Sequence, residues 1–169
     1  PLTIIINRKK RHEQKEYMSE YDSITAEYED FFSKPRFEEE TAQVILMLPE
    51  VTGRILDIGC GTGTLIDFLP DIKPENYIGL DPSKEMLKEF EAKHSLFVPS
   101  LICDRFENFW LGKFDVAVAL FGTASYIDPE KLCRVFEMVN DGGKVFFMFY
   151  ADDYDPVTHR QFNIHPHIY

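Results

Sequence analysis

Near the start of the chain, large apolar residues return every three or four positions. The run Tyr17, Tyr21, Ile24, Tyr28 and Phe31 keeps the interval of one helix face and predicts a helix over residues 12–32. Pro35 breaks it. A second helix is predicted in FEEETAQVILMLPE (37–50), with acids in its first turn and a stop near Pro49. Beyond Pro49 the texture changes to short apolar runs separated by amphipathic ones. RILDI (54–58), NYIGL (76–80), FVPSLIC (97–103), FDVAVAL (114–120) and GKVFFMFY (143–150) read as strands. FDVAVAL is apolar on both faces, as the middle of a parallel sheet requires, and Pro99 suits FVPSLIC to a sheet edge. Between them TLIDFL (64–69), PSKEMLKEFEAKH (82–94) and PEKLCRVFEMVN (129–140) read as helices. Pro82 falls in the first turn of its helix, Asp128 is placed to cap the one that opens at Pro129, and Gly142 or Gly143 to stop it. Strands alternating with helices imply an α/β fold, a parallel sheet with helices on both faces.

With 169 residues, 44% of them hydrophobic and 14% aromatic, the chain can bury the core of one domain and is not a disordered segment. It shows no internal repeat and no low-complexity linker. No run approaches the ~20 apolar residues of a membrane span. The opening PLTIII passes at once into the charged NRKKRHEQKE, which is not the form of a signal peptide. Cys60, Cys103 and Cys133 are odd in number, far apart and at no zinc-site spacing, which fits unpaired thiols in a reducing compartment and a cytoplasmic protein. The net charge of −11 repels phosphate backbones and makes nucleic acid an unlikely partner. The one basic cluster, Arg8 to Lys15, reads as the solvated approach to a helix.

The chemistry gathers where the first strand ends, in ILDIGCGTGTL. Gly59, Gly61 and Gly63 lack β-carbons, so a ligand can lie close against the turn. A nucleotide-triphosphate loop needs a lysine after its glycines, and none follows; the dinucleotide fingerprint needs its third glycine at position 64, where Thr64 stands. Asp57 sits at the mouth of the turn. A pyrophosphate would be repelled by it; a ligand carrying an ammonium and a sulfonium would be drawn to it. Asp81 ends the second strand about twenty residues on, where a carboxylate can accept from both hydroxyls of a ribose.

Through LDIGCGTGTL, GLDPSKEML, FDVAVALFGTASYI and NDGGKVFFMF the chain resembles the class I S-adenosylmethionine-dependent methyltransferases, over roughly residues 17 to 150. YDSITAEYEDFF (21–32) also looks like the helix that precedes the domain in their small-molecule members. The resemblance implies a Rossmann-like doubly wound sheet of order 3-2-1-4-5 under an N-terminal helical lid. It divides the chain into a lid segment, 1–36, and an S-adenosylmethionine-binding domain, 37–169. It further implies that the backbone of Gly59, Cys60, Gly61 and Gly63 approaches the methionine moiety and the ribose, and that Asp57 meets the amino group. Asp81 would then hold the ribose hydroxyls, Pro82 and Met86 would lie against the adenine, and Asp104 would accept from the adenine amino group beside Arg105 and Phe106. Leu120, Phe121 and Gly122 would face the methyl donor, Tyr21 and Tyr28 would close the lid, and Arg36 would reach the donor's carboxylate. Each has a plainer rival: Asp81 as a helix cap, Asp104 as a turn acid, Met86 and Phe106 as core, the two tyrosines as packing, Cys60 as a small filler rather than a nucleophile.

In such a site catalysis is mostly proximity and orientation, because the sulfonium is already an activated electrophile. Tyr126, Asp152, Asp153, His159, His165 and His167 are the candidates for a base; none stands out, and the catalytic residues stay unassigned. His165-Pro-His167 lacks the further ligands of a metal site, so no metal is expected. The family's final antiparallel hairpin has no counterpart before Tyr169, and an apolar edge strand left bare invites pairing. A truncated C-terminus, or a partner covering that edge, is therefore expected. The resulting expectation is a methyltransferase that converts S-adenosylmethionine to S-adenosylhomocysteine on a small-molecule acceptor. A protein or RNA methyltransferase and a non-catalytic cofactor-binding regulatory module remain as alternatives, while Thr64 disfavours a nicotinamide oxidoreductase.

Overall fold

The computed structural model describes residues 35–48 and 50–150. The predicted first helix lies outside them, as do the C-terminal residues from Ala151 onward. Pro35, which ends the predicted first helix, opens the next: α1 spans Pro35–Met47. A proline is tolerated there because the first N–H groups of a helix have no intrahelical acceptor to lose. The remaining elements, in chain order, are β1 (Ile55–Ile58), α2 (Thr64–Phe68), β2 (Tyr77–Leu80), α3 (Lys84–Lys93), β3 (Leu101–Ile102), β4 (Phe114–Ala119), α4 (Pro129–Leu132), α5 (Val135–Met138) and β5 (Val139–Phe147). None of the described helices is long and apolar enough to cross a membrane.

The five strands form one sheet in the order β3-β2-β1-β4-β5, and every adjacent pair is parallel. This is the order expected. The chain runs outward through β1, β2 and β3, then returns to the other side of β1 for β4 and β5. The reversal point therefore lies between β1 and β4, the place where open α/β sheets leave a crevice at the strands' carboxyl ends.

Strand alternation sends successive residues to two separate cores. Leu56 and Ile58 of β1, with Ala117 and Ala119 of β4, pack with Leu132, Val135 and Met138 from α4 and α5. Ile55, with Val116 and Val118, packs on the other face with Val44 of α1, Leu65 of α2, and Leu87 and Phe90 of α3. Phe114 breaks the alternation, since it joins the face of Ala117 rather than that of Val116. The cause is a bulge: Asp115 and Val116 both donate to the carbonyl of Arg54, at 2.7 and 3.2 Å. Two residues thus oppose one, and the side-chain parity flips.

Four expectations are corrected. FVPSLIC is not a strand over its length: residues Ser95–Ser100 wind as 3-10 turns, and only Leu101–Ile102 pair with β2. Pro99 sits inside those turns, its fixed φ suiting them as well as an edge. Pro82 precedes its helix rather than entering it, because Ser83 is the cap and accepts from the Met86 N–H at 3.2 Å. The helix over 129–140 is broken into α4 and α5 by tight turns, in which the N–H groups of Arg134, Phe136 and Glu137 bond three residues back. Asp128 caps it as expected, accepting from Glu130. Gly142 does not stop it; Val139 already starts β5, and Gly142 turns at φ 78° inside that strand's irregular opening.

Candidate functional site

At the carboxyl ends of β1 and β4 lies an open cleft of about 140 Å³. Its floor is the turn after β1. Gly59, Gly61 and Gly63 all have positive φ, at 71°, 53° and 94°, so the chain makes a left-handed bend that residues with a β-carbon resist. The amides of Gly59 and Cys60 donate to the carbonyl of Leu80 at 2.7 and 3.1 Å, which ties the turn to the end of β2. Gly61 is the half-buried crest. A β-carbon built on it meets nothing within 4 Å, so its bare face opens onto free space.

Asp81 grips that crest. One carboxylate oxygen accepts the Gly61 N–H at 2.9 Å, and the other accepts the Ser83 N–H at 2.8 Å. The side chain is buried yet borders the cleft. It is not the helix cap, a role Ser83 fills. Asp57, only 3% exposed, also borders the cleft. Its Oδ2 accepts the Tyr77 hydroxyl at 2.8 Å. Burial pushes its carboxyl up to about 7, against the lowering effect of the Tyr77 hydrogen bond and with a smaller push from the charge of Asp81. A buried carboxylate of that kind gains strongly from a cation brought beside it.

The remaining wall divides by chemistry. Pro82 and Ser83 come from the residues just before α3, Met86 from its first turn, and Asp104, Arg105, Phe106 and Glu107 from the segment after β3. Asp104 accepts from Asn108 Nδ2 at 2.8 Å and from the Arg105 N–H at 2.7 Å, and these bonds hold its carboxyl below the usual range. It is both a turn acid and a wall residue. Met86 and Phe106 are likewise both core and wall, each buried but touching the cleft. Across the mouth stand Leu120, Phe121, Thr123, Tyr126 and Ile127, from the exit of β4. Phe121 has φ 49°, a strained conformation for a residue with a β-carbon. Cys60 lines the floor, but burial and the charges of Asp81 and Asp57 push its thiol well up, which leaves it a filler and not a nucleophile.

The cleft therefore gathers Asp57, Gly59, Cys60, Gly61, Asp81, Pro82, Met86, Asp104, Arg105, Phe106, Leu120 and Phe121. Gly63 stands outside the lining; at the start of α2 it faces the rings of His94 and Phe90. Gly122 is also outside it and packs on Tyr150. Tyr21 and Tyr28 lie outside the described residues, as does the side chain of Arg36, whose backbone is in α1. Sequence reasoning missed Thr62, Ser83, Glu107, Thr123 and Ile127 as wall residues. Thr123 carries no signal in the sequence; only the fold shows that its side chain occupies the place a β-carbon on Gly59 would need.

A family model described as a methyltransferase domain matches residues 29–165. The chain belongs to this family. Among curated relatives, a protein of Methanocaldococcus jannaschii with no assigned function is 28% identical over 142 residues, covering 83% of this chain and 53% of that one. Ribosomal RNA small subunit methyltransferase C of Aliivibrio fischeri is 26% identical over 106 residues, 56% of this chain and 31% of that one. The chain thus spans about half the length of the first of these, and less of the second. Among solved structures, a SAM-dependent methyltransferase of Thermotoga maritima aligns with 31% identity and a TM-score of 0.53, over 68% of this chain and 52% of that one. DhpI, in its complex with SAM and HEP, shares the fold at a TM-score of 0.65 with 19% identity, over 86% of this chain and 70% of that one.

Proposed function

We propose that the protein binds S-adenosylmethionine in this cleft and methylates a small-molecule acceptor. The observation that carries the reading is the pair of carboxylates at the glycine turn: Asp57 beneath it, and Asp81 tied to the amide of Gly61 at its crest. The donor set fits the cofactor. Asp57 offers a buried negative group to an ammonium, Asp81 offers acceptors to a ribose diol, and the crest of Gly61 leaves room for a ligand to approach the backbone. Pro82, Met86 and Phe106 supply an apolar slot for an adenine, with Asp104 at its rim for the exocyclic amine. Gly59 and Cys60 would border the methionine arm, and Arg105 the outer face of the adenine slot. Leu120 and Phe121 would face the methyl group. Tyr21, Tyr28 and Arg36 belong to this proposal as closing groups on sequence grounds alone.

Once bound, the cofactor supplies a methyl group on a positively charged sulfur, an electrophile that needs no further activation. The protein's task is to orient it, exclude water and hold an acceptor in line. Phe121, Tyr126 and Ile127 form an apolar wall suited to excluding water on the side of the cleft opposite α3. Tyr126 is the one described hydroxyl among the sequence's base candidates that borders the cleft.

Charge favours a small acceptor. The net charge is −11, and the acidic wall residues Asp57, Asp81, Asp104 and Glu107 stand against one basic residue, Arg105. Such a surface is a poor match for a phosphate backbone. The three cysteines are unpaired thiols, in keeping with a cytoplasmic location. Calorimetric titration with S-adenosylhomocysteine tests the binding half of the proposal. Asp81→Ala is expected to weaken it by about 10- to 100-fold, the worth of hydrogen bonds to a charged group. Unchanged affinity would remove the assignment. Turnover of labelled S-adenosylmethionine on pooled amines, phenols and thiols, but not on ribosomal RNA, supports the small-molecule reading. Turnover on RNA alone would replace it, and tight binding with no turnover on any acceptor would make the domain a binding module.

A further inference from the structure

The ring of Tyr77 runs through the core directly behind the glycine turn. It is 1% exposed, and packs edge-on to Phe97 with ring centres 5.3 Å apart and tilted against Phe90 at 6.0 Å. Strand register places Tyr77 opposite Ile55 and Gly79 opposite Asp57. Tyr77 and Gly79 are two apart in β2, so they share a face. A β-carbon on Gly79 would come within 2.8 Å of Tyr77 Cε1 and 3.0 Å of Cys60 Sγ. The missing side chain is what lets the tyrosine ring lie along its own strand and deliver its hydroxyl to the neighbouring strand's Asp57, at 2.8 Å. Glycine inside a strand is otherwise a cost.

Phenylalanine would fill that apolar space as well. The hydroxyl is explained only by what it meets. A carboxylate can accept about four hydrogen bonds, and among the described residues Tyr77 is the one hydrogen-bond donor given to Asp57. The bond goes to Oδ2 from the core side, while Asp57 also borders the cleft.

Building on the donor site proposed above, we infer that Tyr77 is a positioning residue for the amino-acid arm of the cofactor. Its hydroxyl holds Asp57 by Oδ2 and reserves Oδ1 for the ligand's ammonium. Tyr77 itself touches no ligand. The groups that face Asp57 are Tyr77 from β2, Cys60 from the turn and Asp81 from the end of β2. Of these, the Tyr77 hydroxyl favours the ionised form and the charge of Asp81 opposes it, so an incoming ammonium is the natural counter-charge.

The test compares two ligands on two proteins by calorimetry. S-adenosylhomocysteine carries the ammonium arm; 5′-methylthioadenosine has the same nucleoside and thioether but lacks that arm. Tyr77→Phe is expected to weaken S-adenosylhomocysteine about tenfold and 5′-methylthioadenosine less than about twofold. Equal losses for both ligands, or no loss for either, would overturn the inference and leave Tyr77 a packing residue. Gly79→Ala, which crowds the Tyr77 ring, is expected to show the same selective loss should Tyr77→Phe fold poorly; an even loss there also overturns it. Wild-type protein binding 5′-methylthioadenosine but not S-adenosylhomocysteine would sink this inference alone. Binding neither would sink the donor site itself.

Discussion

Asp57 shows how much one buried carboxyl can govern. Its acidity is displaced upward because burial removes water from the charged form, and the Tyr77 hydroxyl recovers only part of that loss. In the unfolded chain the group ionises near 3.8, and in the folded protein near 7. Between those values the unfolded state holds fewer protons than the folded one, so stability falls as pH rises across that window and levels off above it. Below the lower value both states are protonated and the effect vanishes. Asp57→Asn removes the titration. Urea unfolding at pH 4.5 and pH 8 is therefore expected to show the wild type losing up to a few kcal/mol more than the variant over that range. Parallel pH profiles for the two proteins would mean that the folded carboxyl ionises normally. The motif containing Asp57 was legible from the sequence, as were Asp81 and Asp104. The partner was not. Nothing in NYIGL says that Tyr77 faces Asp57, because that contact depends on strand register, and register is fixed by pairing across more than twenty intervening residues.

Among the elements, the sheet was read more accurately than its edges. β1, β2 and β4 carry apolar runs that need burial on both faces, and their identity is therefore written locally. β3 was over-read because the apolar residues of 95–100 belong to a largely exposed 3-10 turn that buries only Phe97, and pairing with β2 covers only two residues. The break between α4 and α5 was missed for a similar reason. Arg134, at the break, donates to the carbonyls of Glu107 and Phe109 and lies over the Trp110 ring, contacts that sequence spacing cannot show. The exit of β4 was located correctly, but what shapes it is remote. Tyr150 donates its hydroxyl to the Phe121 carbonyl at 3.2 Å, and its amide to Ser125 Oγ at 2.8 Å. Its ring fills the space beside Gly122, which has φ 83°. Gly122→Ala would force a methyl group into that ring besides straining the backbone, and is expected to cost about 2–4 kcal/mol. In a Tyr150→Ala background only the backbone strain remains, so the same substitution should cost at least about 1 kcal/mol less. Denaturation of the four proteins measures the difference. Equal costs in both backgrounds would show that the ring does not dictate the glycine.

For the molecule as a whole, charge and topology act on the same place. The strand order 3-2-1-4-5 was expected from the resemblance and is the order observed. It brings the ends of β1, β2 and β4 to one rim, and residues distant in sequence, Asp57, Asp81, Asp104 and Glu107, to one cleft. One guanidinium, Arg105, stands among them, in a chain of net charge −11. A concave site lined by one sign of charge concentrates the opposite sign, more at low salt than at high, since the screening length shortens from about 30 Å at 0.01 M to about 3 Å at 1 M. S-adenosylmethionine has one more positive charge than S-adenosylhomocysteine and is otherwise close to it in shape. The donor should therefore be the more salt-sensitive of the two. Raising sodium chloride from about 20 mM to 500 mM is expected to weaken S-adenosylmethionine several-fold while S-adenosylhomocysteine changes by less than about twofold, as read by calorimetry at pH 8, where Asp57 is ionised in the empty site. Equal slopes for the two ligands would mean that the acids around the turn act only through direct hydrogen bonds. The long-range field of this acidic protein would then contribute nothing to choosing the charged donor over its spent product.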